Sequence, residues 1–276
     1  MKLYYYEAPH RNFGDDLNPW LWPRIFPKPL EECGDDDTLF LGIGSILNHK
    51  VPAVPPKKVV FGSGVGYGPL PAVTDRWRFF CVRGPLTAKA LGLPEGLALG
   101  DSALLVREVV EPAPAPEYRA SFMPHHLTVP HDDWKDVCDA LSIRFIDPTA
   151  PVDCTIDAVR RSALLITEAM HGAIVADALR VPWIPVRSRP RILEFKWRDW
   201  SSALGIEHTF EWLPPIWSET IDSSAKRILH VPARLLARGR LQWLVRFGKR
   251  RLSADSNFRR VYGRMRDAFA RLIEQA

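Results

Sequence analysis

The chain has 276 residues, 46% of them hydrophobic and 25% charged, with a formal net charge of +5; that length is long for one apolar core and predicts two lobes. No run approaches the roughly 18 apolar residues of a membrane span, and Cys33, Cys81, Cys138 and Cys154 lie at neither zinc-ligand nor redox-motif spacing, so neither a metal site nor a disulfide framework is expected. The opening Met1-Lys2-Leu3-Tyr4-Tyr5-Tyr6 reads as a first strand rather than a secretory leader, which predicts a cytoplasmic protein.

After that strand comes Asn12-Phe13-Gly14-Asp15-Asp16-Leu17-Asn18, a turn in which Asp15 either caps the local backbone or offers a carboxylate to a ligand. Residues 38–41 predict a second strand running into Gly42-Ile43-Gly44-Ser45, and residues 59–61 a third running into Gly62-Ser63-Gly64-Val65-Gly66-Tyr67-Gly68. The latter loop lacks the spacing of a dinucleotide fingerprint, and no phosphate-loop Gly-Lys-Ser/Thr is present, so it reads as a place of close backbone approach. A fourth strand over 77–82 ends at Arg83, and Pro85 starts a helix to about Leu91. At that strand end Arg83 is either a fork for an anion or half of an ion pair. Beyond Leu99-Gly100-Asp101-Ser102-Ala103, the stretch Glu111-Pro112-Ala113-Pro114-Ala115-Pro116 is a stiff linker and the best domain boundary.

The second half alternates in the same way. Residues 119–124, 143–146, 163–167 and 183–186 read as strands, with helices around 134–141 and 172–179. Its most informative stretch places Glu168 and His171 between the strand ending at Thr167 and the helix that Gly172-Ala173 opens. In an open parallel sheet that is the ligand crevice, where a helix N-terminus offers N–H groups to an anion. His171 is accordingly either an anion-facing acid or a packed histidine bonded to a carbonyl.

Charge is concentrated at the end. From 221 to 276 there are 14 Lys and Arg against 4 Asp and Glu, a net +10, whereas residues 1–220 carry 23 against 28. Apolar Ile228, Leu229, Leu235, Leu236, Trp243, Leu244, Val245 and Phe247 recur among the arginines at helical intervals. Two readings follow: a basic amphipathic helix on an anionic membrane through 226–251, or a helix packed across the lobes with a solvated basic face. No nucleic-acid motif accompanies the charge, so nucleic acid is not an expected partner.

Glu168-Ala169-Met170-His171-Gly172-Ala173, with Asp177-Ala178-Leu179 and Val181-Pro182 behind it, resembles the histidine motif of the polysaccharide pyruvyl transferase family, in the branch acting on exopolysaccharides such as succinoglycan and xanthan. The Asn12–Asn18 turn, Leu41-Gly42-Ile43-Gly44-Ser45, Val82-Arg83-Gly84-Pro85-Leu86-Thr87 and Leu99-Gly100-Asp101-Ser102-Ala103 match further family motifs in order, and the resemblance covers roughly residues 1 to 206. It implies an α/β fold of two Rossmann-like lobes, 1–113 and 117–206, in a GT-B-like arrangement, here followed by a basic, largely helical extension over 207–276. The implied reaction moves a pyruvyl group from phosphoenolpyruvate onto two hydroxyls of one sugar, as a cyclic ketal, with no cofactor besides the donor. The acceptor implied is a lipid-linked oligosaccharide at the inner face of the cytoplasmic membrane.

Carried onto this chain, the resemblance makes Arg83, Lys196 and His171 donor ligands, with Arg187 as the other candidate for the role of Lys196. His171, Asp15 and Glu168 are the expected catalytic groups, and Asn12, Gly14, Gly44, Ser45, Gly64 and Asp101 the expected acceptor-side or backbone-loop positions. Many members carry Arg where this chain has Ala169, so one anion contact must come from elsewhere. The alternatives are a GT-B-type glycosyltransferase using a nucleotide sugar and a non-catalytic scaffold of an exopolysaccharide assembly complex.

Overall fold

The computed structural model describes residues 1–129, 133–189, 192–207, 209–217 and 224–275, and between 224 and 229 the backbone alone. Two parallel sheets carry the architecture. The first is built in chain order from β1 (Lys2–Tyr4), β2 (Thr38–Leu41), β3 (Lys57–Phe61) and β4 (Trp77–Cys81). The second contains β5 (Ser121–Met123), β6 (Arg144–Phe145), β7 (Leu165–Thr167), β8 (Trp183–Arg187) and β9 (Glu211–Trp212), in the order β6-β5-β7-β8-β9. This is a mixed α/β fold of Rossmann-like kind.

Both faces of the inner strands are covered, which is why those strands read as continuous apolar runs. Phe40, Val59 and Phe61 point into one apolar cluster while Leu39, Leu41 and Val60 point into another. In the second sheet Leu165 faces the first of these clusters, whereas Leu164 and Ile166 face a third. The large cluster is shared by both sheets and lies between them, joining Leu17 and Trp22 to Ile174, Val175, Trp197 and Trp200.

The helices are α1 (Phe13–Ile25), α2 (Pro85–Ala90), α3 (Trp134–Asp139), α4 (Val152–Arg160), α5 (Met170–Ala178), α6 (Glu194–Ala203), α7 (Ser224–Phe247) and α8 (Asp255–Glu274). Where the sequence predicts a turn after Asn12, the chain forms α1, although Pro19 and Pro23 stand inside it. Proline removes an N–H from the helical ladder. Asn18 repairs part of the loss: its amide donates to the Asp15 carbonyl at 3.2 Å, the acceptor that Pro19 leaves without its usual donor. The same buried side chain donates to the Ile43 carbonyl and accepts from the Ile43 and Trp22 N–H groups, locking α1 to the turn after β2.

The basic C-terminal segment forms α7 and α8, and both are built into the fold. Ala237, Leu241 and Leu244 of α7 join the outer cluster of the second sheet, while Phe258, Val261, Met265, Ala268 and Leu272 of α8 join the cluster between the sheets. Among the described residues no helix is long and apolar enough to cross a membrane.

Candidate active site

In the second sheet the strand order reverses between β5 and β7, and ligands in open parallel sheets collect outside the carboxyl ends of the strands at such a switch point. Here the chain leaves β5 through Pro124-His125-His126 and leaves β7 through Glu168-Ala169-Met170-His171. α1 reaches the same place from the first sheet, tied down by the Phe13 N–H donating to the Pro148 carbonyl.

His171, in the first turn of α5, lies between two residues distant in sequence. On one side its Nε2 is 3.6 Å from Oδ2 of Asp101, whose side chain is fully buried. The other Asp101 oxygen accepts from the Ala103 N–H at 3.0 Å, but neither Asp101 Oδ2 nor His171 Nε2 has a hydrogen-bond partner among the described residues. On the other side the ring presses on Gly14: a Cβ there would stand 2.0 Å from His171 Nδ1, so only glycine fits. The result is a histidine backed by a buried carboxylate, slightly too far apart for a hydrogen bond; such catalytic contacts often tighten only around substrate.

Asp15 stands beside it on α1. Asn12 donates to its carboxylate at 2.6 Å. Burial raises its pKa above the ordinary carboxylate range, against the opposing pull of Asn12, His171 and Lys196. Lys196, on α6, has its Nζ 3.3 Å from the Tyr67 hydroxyl and 5.7 Å from the centre of that ring. It forms no ion pair with a carboxylate among the described residues.

His125 and His126 join the cluster without having been predicted. Their rings are 4.5 Å apart. Burial, with His126 and Lys196 adding to it, pushes the His125 pKa down to about 3. His126 is shifted the same way by burial, Lys196 and His10. The Nδ1 of His125 accepts from the Leu127 N–H at 3.3 Å, leaving Nε2 as the nitrogen that carries the proton in the neutral ring. The available signal was the pair's position directly after an apolar strand, the rule that picks out His171.

Several predicted residues have other duties. Glu168, expected as a catalytic group, is buried, and its carboxylate accepts from the N–H of His125 at 3.2 Å and from the N–H and hydroxyl of Ser188 at 2.8 and 2.6 Å. It ties the loop after β5 to the end of β8 and so positions His125. Arg83, expected to grip a donor anion, is fully buried against Asp199, with Nε to Oδ2 at 3.0 Å. Its terminal nitrogens donate to the Ser45 hydroxyl at 2.5 Å and the Val65 carbonyl at 2.6 Å. A Cβ at Gly64 would sit 2.3 Å from the Arg83 guanidinium carbon, and Gly64 in turn donates its N–H to the Gly44 carbonyl. Gly44, Ser45 and Gly64 therefore line the pocket of Arg83. Arg187, at the end of β8, is half exposed, 3.7 Å from Glu194 and 5.4 Å over the Phe210 ring.

Two cavities, of about 290 and 440 Å³, lie at the amino end of the first sheet around Lys58, Arg76 and Trp77, opposite the carboxyl-end cluster. They hold none of the residues just described.

This arrangement pairs a carboxylate-backed histidine with a partly buried seat made by the Lys196 ammonium, the rings of His125 and His126, which burial holds toward their neutral form, and the N-terminus of α5. It can hold an anion and move a proton beside it. No family model matches the chain, and no solved structure matches it. A curated protein is 41% identical over 211 residues, an alignment covering 75% of this chain and 66% of that protein. With that likeness and its ordered motifs, the chain belongs to the polysaccharide pyruvyl transferase family, in the exopolysaccharide branch. The relative is the succinoglycan biosynthesis protein ExoV of Rhizobium meliloti (strain 1021), and the chain spans about two thirds of its length.

Proposed function

We propose that the protein transfers the pyruvyl group of phosphoenolpyruvate to two hydroxyls of one sugar in an exopolysaccharide repeat unit carried on a lipid. The observation that supports this best is the convergence of His171, backed by Asp101, with Asp15, the Lys196 ammonium and the N–H-bearing rings of His125 and His126. The donor bears a carboxylate and a phosphate, and this seat offers them the Lys196 ammonium, neutral imidazole N–H groups and the N–H groups of a helix N-terminus. In this reading the two sheets are the halves of a GT-B-like arrangement, and the cluster lies where their carboxyl ends meet.

His171 delivers a proton to the donor's methylene carbon, turning CH2 into CH3 and leaving positive charge on the neighbouring carbon. One sugar hydroxyl attacks that carbon while Asp15 accepts its proton, and its raised pKa suits it to hold one. The carbon–oxygen bond to phosphate then breaks, with Lys196 and the α5 N-terminus taking up the charge of the departing group. The second hydroxyl closes the ketal and its proton leaves with phosphate, and the proton held by Asp15 returns to His171, so one donor and two hydroxyls yield one ketal and one hydrogen phosphate. Asp101 holds the imidazole throughout, as a buried carboxylate does for a catalytic histidine.

The test is to mix the protein with phosphoenolpyruvate and a lipid-linked oligosaccharide from an exopolysaccharide-producing bacterium. Phosphate release that requires both substrates, with a ketal methyl in the product, is the expected result. Sugar transfer from a nucleotide sugar would establish a glycosyltransferase instead, and donor binding without turnover a scaffold.

A further inference from the structure

The solvent faces of α7 and α8 differ in kind. On α8 the exposed side chains include Arg259, Arg260, Arg264, Arg266 and Arg271, an ordinary hydrated face opposite the buried Val261, Met265 and Leu272. On α7, Ala237, Leu241, Leu244 and Val245 are buried, yet the opposite face is also apolar. Val231, Leu235, Leu236, Trp243 and Phe247 recur there at helical spacing and are 43% to 62% exposed. Trp212, on β9, extends the patch at 55% exposure, its carbonyl accepting from Arg240. A contiguous exposed patch of this kind marks an interaction surface.

The charge around the patch identifies what it meets. No Asp or Glu occurs between Asp222 and Asp255, a stretch that holds Arg234, Arg238, Arg240, Arg246, Lys249, Arg250 and Arg251. Arg246 lies 5.1 Å over the Phe247 ring and Arg240 4.3 Å over the Trp243 ring. Arg246 and Arg250 form no ion pair with a carboxylate among the described residues, while Lys249 reaches Glu207 in an exposed one. Tryptophan, phenylalanine and leucine flanked by arginines that keep their charge at the edge are the composition of a helix lying in the boundary of an anionic bilayer.

We propose that residues 231–247 of α7 and the segment 248–250 that follows it, with Trp212, dock the protein on an anionic lipid surface, the apolar side chains entering the acyl boundary and Arg246 and Arg250 facing the headgroups. Of the segment 226–251 that the sequence marks out, the side chains of 226–229 lie outside the described residues, and the patch does not need them. Nor does it need the reaction proposed above, because docking is read without substrate.

The experiment is co-sedimentation of the full chain with phosphatidylcholine vesicles, with and without phosphatidylglycerol, at low and high salt. Binding is expected only to the vesicles containing phosphatidylglycerol, and it weakens with salt. Trp243→Ser with Phe247→Ser, and separately Arg246→Glu with Arg250→Glu, should each weaken it about tenfold or more. Circular dichroism and thermal melting should match the parent, since all four side chains are exposed; if the apolar pair misfolds, the charge pair decides. Failure of the parent to bind anionic vesicles at low salt overturns the proposal, as does binding unchanged in a folded variant. Light scattering that shows a dimer dissociated by the Trp243→Ser, Phe247→Ser pair would assign the patch to a second copy of the chain and overturn it equally.

Discussion

Arg83 and His171 each follow a strand and stand at the carboxyl edge of a parallel sheet, in surroundings that differ throughout. Around Arg83 the acidic partner is buried with it, the Ser45 hydroxyl and Val65 carbonyl accept its remaining donors, and Thr87 bonds the same Asp199 through both its N–H at 2.9 Å and its hydroxyl at 2.6 Å. Around His171, Nε2 and the facing Asp101 oxygen lack hydrogen-bond partners, and Lys196 nearby pairs with no carboxylate among the described residues. A saturated buried cation holds the fold together, here joining the end of β4 to α6. An unsaturated group beside partly buried histidines has binding capacity left for a ligand, and strongly shifted titrations gather at such places.

The largest effect should come from breaking the saturated network. Arg83→Ala or Asp199→Ala leaves an unpaired buried charge and should cost about 3–5 kcal/mol of stability, read by urea unfolding. A stable Arg83→Ala protein that loses only donor affinity would move Arg83 into the active site and dissolve the contrast. Next, His171→Gln should lower turnover about 100-fold or more in a folded protein, and Asp101→Asn should fall in the same direction because the histidine loses the carboxylate that backs it. Phosphate-release kinetics measure both, and normal turnover in either returns that residue to a packing role.

Lys196→Ala should weaken donor binding by roughly 1.5–3 kcal/mol, the range for a charge-assisted contact, with stability close to the parent because among the described residues the ammonium hydrogen-bonds the Tyr67 hydroxyl and pairs with no carboxylate. Calorimetry against phosphoenolpyruvate tests this. The His125 ring supplies a pH dependence. Its folded pKa of about 3 lies below the unfolded value of 6.5, so the stability it contributes is complete above pH 6.5 and is lost as pH falls toward 3. The slope is at most about 1.4 kcal/mol per pH unit. His125→Asn keeps an acceptor for the Leu127 N–H and does not titrate, so urea midpoints at pH 7 and pH 5.5 should converge in that variant relative to the parent. Smallest is a gain. Asp15 has its pKa raised by burial, so its ionised form opposes folding above the ordinary carboxylate range. Asp15→Asn should melt slightly higher than the parent at pH 7 and level with it at pH 4, and a lower melting temperature at pH 7 would contradict the raised pKa.

The sequence by itself determined the inner strands, because a parallel strand covered on both faces must be an unbroken apolar run and needs no knowledge of its neighbours; it did not mark β9, two half-exposed residues at the sheet edge. It determined likewise where chemistry-bearing residues leave those strands, and through their ordered motifs the family. It did not reveal α1, whose prolines argue against a helix until Asn18 is seen bonding the Asp15 carbonyl. Which motif residues are free to act was decided by the tertiary structure alone. Asp101 meets His171 across 70 positions of chain, Asp199 saturates Arg83 from 116 positions away, and Ser188 occupies Glu168 from 20. Burial and hydrogen-bond saturation belong to the neighbours that folding brings together, so an Arg at a strand end reads the same in one dimension whether its donors are spent or available. The same holds for α7, where the apolar pattern fits a helix on a membrane and a helix packed on the fold alike, and only the packing shows which face the core covers.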